Sequence, residues 1–96
     1  MRACRVDANH NDISDGLRAY GFSVLSLARL GRGAPDILVG TGAHNVLIEI
    51  KVKSGKLNEA QKEFFACWRG PKAVVRSLDE ALAVIDSLTK PSLQTP

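Results

Sequence analysis

The sequence predicts a single α/β domain, αβββαβ(α), with a mixed sheet flanked by helices. Three observations carry this. Short apolar runs of period two alternate with stretches at helical spacing. The two middle strand runs are joined by turn chemistry, so they form a hairpin. A helical stretch then separates the third strand run from the fourth, which makes a crossover. With 96 residues the chain is too short for two cores. The domain is expected over residues 1–90, with "PSLQTP" at 91–96 a fraying tail.

The elements follow in order. "NHNDISDGLRAYG" places Ile13, Leu17 and Tyr20 at helical spacing, with Asn9 as N-cap and Gly21 as the stop. Gly16 inside that helix costs about 1 kcal/mol relative to alanine. "FSVLSLARL" reads as a strand that "GRG" breaks. "DILVG" and "NVLIEIKV" are two strands around "TGAH". "NEAQKEFFACW" is a helix in which Asn58 and Gln61 form a capping box. "KAVVRS" is the fourth strand, and "LDEALAVIDSLTK" the last helix, with a second box from Ser77 and Glu80.

The hydrophobic share of 45% and charged share of 24% are ordinary for a globular domain. A net charge of +3 is compatible with a polyanionic partner, and basic residues gather around Arg29, Arg32, Lys51, Lys53, Lys56 and Lys62. Two cysteines, Cys4 and Cys67, have no metal-ligand spacing, and Cys67 is expected as a small core residue. No run resembles a signal peptide or a membrane span, so the expectation is a cytoplasmic protein with free thiols and no membrane partner.

The charges inside the third strand are the chemical signal. Val46, Ile48, Ile50 and Val52 point to one face, which must lie on the core; Leu47, Glu49 and Lys51 point to the other. Asp36 opens the second strand and shares the face of Glu49 and Lys51 if it pairs with residue 49 or 51. Those registers leave a four-residue loop, 41–44 or 42–45. Pairing with Ile50 would aim the carboxylate at the apolar face without a partner. Two converging carboxylates repel unless a cation lies between them, and oxygen-only ligation suits Mg²⁺ or Mn²⁺. Lys51 would then orient or deprotonate a water, Asp12 on the first helix could complete the site, and the glycines of "GRGAPD" would let backbone approach a phosphate.

Pro35-Asp36 followed by Glu49-Ile50-Lys51 across a short hairpin resembles the PD-(D/E)XK nuclease superfamily, whose restriction-endonuclease-like core has the order αβββαβ. "LRAYGFSV", "GRGAPDILVG", "NVLIEIKVKSGKLNEAQKEFF" and "AVVRSLDEAL" resemble a stand-alone VRR-NUC domain of the phage type, over about residues 5 to 86. The resemblance implies that Asp36, Glu49 and the Ile50 backbone carbonyl bind a metal, Mg²⁺ or Mn²⁺, and that Lys51 is the catalytic lysine. Gln61 would sit beside the site. Asp12 stands where the family often has glutamate, and its shorter side chain would reach the metal through a water rather than directly. The resemblance further implies a homodimer acting on branched DNA such as four-way junctions, in a bacterial or phage-infected cell. Arg29, Arg32, Lys53 and Lys56 are the expected contacts to the phosphate backbone.

The competing readings are a catalytically silent nucleic-acid-binding module and a subunit completed by another protein. His10 and His44 read as surface histidines. Trp68, with Phe64 and Phe65, reads as packing for the core or a dimer surface; base stacking is open to it only if it is exposed near the site.

Overall fold

A computed structural model describes residues 8–89. Helix α1 (Ala8–Ala19) leads into strand β1 (Ser23–Ser26), then the hairpin of β2 (Ile37–Gly40) and β3 (Asn45–Ile50). Helix α2 (Glu59–Cys67) crosses to β4 (Lys72–Val75), and α3 (Leu78–Thr89) follows. The sheet order is β1-β2-β3-β4; the first two pairings are antiparallel and the third is parallel. The described residues thus form a small α/β domain with a four-stranded mixed sheet and three helices.

Hairpin register decides everything near the acids. Ile37 faces Ile48 and Gly40 faces Asn45, so the loop is 41–44 and Asp36 comes opposite Glu49. The loop is built for that length. Thr41 Oγ1 accepts from the amides of Ala43 and His44, Thr41 N donates to His44 O at 2.9 Å, and Gly42 takes φ +97°.

One sheet face carries the main core. Ile37, Val39, Val46, Ile48 and Val75 bury against Ile13 and Leu17 of α1 and Ala81 and Ile85 of α3. Gly16 has a packing reason that offsets its poor helix propensity: a Cβ there would lie 2.5 Å from Leu78 Cδ2, so the glycine lets α1 approach α3. The opposite face bears Leu47 and Glu49; the short α2, none of whose residues is fully buried, meets it through Gln61.

Several local expectations are corrected. Asn9 is the second residue of α1 and not its N-cap. The first strand ends at Ser26. Leu27 N makes one more ladder bond, to Asp36 O at 2.8 Å, and then Ser26 Oγ accepts from Ala28 N as the chain turns. The third strand ends at Ile50, so Val52, assigned to the core face, lies past the ladder and is 54% exposed. Cys67 is exposed, on the solvent side of α2. At α3 the second box is shifted: Ser77 Oγ accepts from Glu80 N, whereas the Glu80 carboxylate accepts from Arg76 N and not from Ser77. Cys4, Lys90 and the tail 91–96 lie outside the described residues. Among the described residues no helix is long and apolar enough to cross a membrane.

Candidate metal and active site

Asp36 is placed by backbone on both sides. Buried Pro35 fixes the chain before it, and Asp36 N donates to Ile48 O at 3.1 Å. Its Oδ2 accepts from Ile50 N at 2.7 Å, standing in for the carbonyl that β2 no longer supplies at that rung.

Glu49 lies directly across, only 2% exposed. Its Oε2 accepts from Gln61 Nε2 at 3.0 Å and lies 3.5 Å from Lys51 Nζ. Its Oε1 is buried with no hydrogen-bond partner. Burial, and next the negative charge of Asp36, push the carboxyl up to about 7, while Lys51 pulls the other way. A buried, partnerless carboxylate oxygen next to a second carboxylate is costly in a folded protein unless something binds there.

Lys51 follows β3 by one residue and keeps the ladder going through Lys51 N to Val75 O at 3.0 Å. Its stem runs beside Gly55, where the turn closed by Gly55 N and Val52 O folds back. The lysine side chain is 20% exposed, and its ammonium meets Glu49.

Gln61 performs both roles at once. Its backbone N donates to Asn58 Oδ1, and its Oε1 accepts from Asn58 N, each at 2.9 Å, completing the capping box. With Oε1 so engaged, the amide must turn its NH₂ end outward, and that end reaches Glu49.

No family model matches the chain, and no curated protein or solved structure matches it either.

The remaining site residues divide. Asp12 is exposed on α1, and among the described residues no group of three or more acids, histidines or cysteines is placed to hold a metal. Arg29, Arg32, Lys53 and Lys56 are exposed on the two loops that flank the acids, 27–36 and 51–58. Arg32 stands in left-handed backbone, φ +57°, between Gly31 and Gly33, which share that conformation; Ala34 N to Gly31 O closes the turn at 3.1 Å. A side chain on Gly33 would collide with the Ala60 carbonyl, so this loop lies against the first turn of α2. His44 is exposed in the hairpin turn.

Two parts of the site were not foreseen: the hold of Ile50 N on Asp36, and the packing of Gly33 on α2. The first was signalled by the acid sitting one residue ahead of its strand, after a proline. The second was signalled only by the glycine itself, which its positive φ also explains.

The donor set fits a hard divalent cation. Two carboxylates and a backbone carbonyl are oxygen ligands, Glu49 Oε1 lacks any other partner, and Mg²⁺ sites commonly use one or two carboxylates with water or phosphate oxygens for the rest.

Proposed function

We propose that this protein is a divalent-metal-dependent endonuclease that hydrolyses DNA phosphodiester bonds, selective for branched DNA such as four-way junctions. It would be a homodimeric VRR-NUC domain with a restriction-endonuclease-like fold, working in the cytoplasm of a bacterial or phage-infected cell. The observation that carries the reading is the partnerless, buried Oε1 of Glu49 opposite Asp36. The motif resemblance supports it, as does the element order α-β-β-β-α-β-α.

When bound, Mg²⁺ or Mn²⁺ supplies positive charge against the scissile phosphate and makes a water acidic enough to attack near neutral pH. Asp36, Glu49 and the Ile50 carbonyl would hold that ion. Lys51, as an ammonium, would donate to a phosphate oxygen and orient the attacking water. Gln61 keeps Glu49 Oε2 engaged, which leaves Oε1 as the oxygen on offer. Arg29, Arg32, Lys53 and Lys56 contact phosphates without reading sequence.

The test is cleavage of labelled four-way junction, splayed duplex, linear duplex and single strand in Mg²⁺, Mn²⁺ or EDTA. Metal-dependent cutting of the branched substrates that Lys51→Ala lowers by about 100-fold or more is expected. Tight binding without cutting in any metal, equal in the wild type and Lys51→Ala, makes the protein a silent binding module instead.

A further inference from the structure

Gln61, Phe64, Phe65 and Trp68 recur at i, i+3, i+4 and i+7, one stripe of α2. The stripe begins at the acid pair, where Gln61 bonds Glu49, and the two phenylalanines are half-buried. Trp68, which caps the helix, is 44% exposed.

That ring is nonetheless held. Phe64 stacks on the indole with centroids 5.4 Å apart and planes at 11°, and Phe65 braces Phe64 edge-on at 6.3 Å. A Cβ on Gly70 would meet the indole Nε1 at 2.9 Å, so the chain leaves closely beside the ring only because that residue is glycine. Lys72 Nζ donates to Trp68 O at 2.6 Å and fixes the cap. From Phe64 to Lys72 the chain carries two cations, Arg69 and Lys72, and no acid. A tryptophan needed for the core would be covered; this one is fixed in place yet open, among positive charges.

We propose that Trp68 is a stacking platform for an unpaired nucleobase of the DNA strand engaged at Asp36 and Glu49. The proposal rests on the nuclease reading and deepens it by naming the substrate feature that is recognised. From Gln61 to Trp68 the helix advances about 10 Å, or roughly three stacked nucleotides at about 3.4 Å each. A strand with a phosphate at Glu49 therefore brings a base a few nucleotides away onto the indole. Bases inside an intact duplex have both faces occupied by their neighbours, whereas unpaired bases at a branch or in a single strand present a face. Arg69 adds attraction for the backbone beside that base. A second copy docking symmetrically on the same patch would bring like cations together, which opposes it.

Trp68 is the only tryptophan in the chain, so its fluorescence reports on this ring alone. The wild-type protein in EDTA would be titrated with an oligo-dT strand, a splayed duplex and a blunt duplex, with anisotropy of labelled DNA read in parallel. Expected are saturable quenching by the first two and little by the blunt duplex. Trp68→Leu should weaken single-strand binding about 10- to 100-fold, and Trp68→Phe by less, since an aromatic face remains. Indole emission that stays constant at saturating single strand overturns the proposal. So does emission that changes with protein concentration alone, which would put a second copy on the ring. The two readings fail separately: cutting in metal with a silent indole removes only the platform, and a quenched indole in a protein that never cuts removes only the nuclease.

Discussion

Glu49 occupies a position that an apolar residue would fill at lower cost. Its carboxyl is raised from 4.5 to about 7 by burial and by Asp36, so between those values the folded state binds a proton that the unfolded chain has released. For such a group stability is highest below about pH 4.5 and declines as pH rises through about 7, by a total on the order of 3 kcal/mol. In EDTA, urea unfolding of the wild type should therefore give lower stability above neutrality than near pH 5, and Glu49→Gln should abolish that slope. A divalent cation replaces the proton, so its affinity should fall up to tenfold per pH unit below about 7. An unchanged slope in Glu49→Gln would mean that the carboxylate is not the source. Residue-scale legibility was high for this pair. Period two put Glu49 and Lys51 on one face, and the cost of an unpartnered Asp36 on the apolar face narrowed the register to two. Choosing between those two required the Thr41 side chain, which fixes the loop at 41–44.

The elements matter here mainly through α2 and the loop packed against it. Asn58 and Gln61 were legible as a capping box, and the box proved complete. That the same amide comes beside Glu49 was expected only from the motif resemblance, because spacing does not say where α2 lies relative to the sheet. Gly31 and Gly33 both have positive φ, yet a Cβ at Gly31 would meet nothing, whereas one at Gly33 would strike the Ala60 backbone. Gly31→Ala should therefore lose only the left-handed backbone term, about 1 kcal/mol. Gly33→Ala should lose about 2–4 kcal/mol by urea unfolding and should also reduce cleavage, since α2 must shift and carry Gln61 away from Glu49. Equal losses at the two glycines would contradict this account of the loop. Element boundaries were the least legible feature. Alternation in "FSVLSLARL" ran on past Ser26, because an apolar pattern does not reveal that the next strand has already ended. Leu30 and Val52 look like core residues in the sequence and are exposed in the fold.

At the scale of the whole molecule the element order was readable, since hairpin chemistry and one helical crossover leave few ways to arrange four strands. Which helix covers which face was not, because an amphipathic stripe states that a face is buried without stating against what. The answer places two longer helices on the apolar face as a foundation. On the other face Gln61 of the short α2 meets Glu49, so among the described residues the main core and the acid pair occupy opposite sides of one sheet. On the proposed reading, Asp36 and Glu49 hold a divalent cation. Calorimetric titration of the wild type, Asp36→Asn and Glu49→Gln with Mn²⁺ at about pH 8, above the raised carboxyl value, tests it most directly. The account predicts one ion per chain in the wild type and loss of that binding in each variant. A wild type that binds no ion, or variants that bind it equally well, would contradict it.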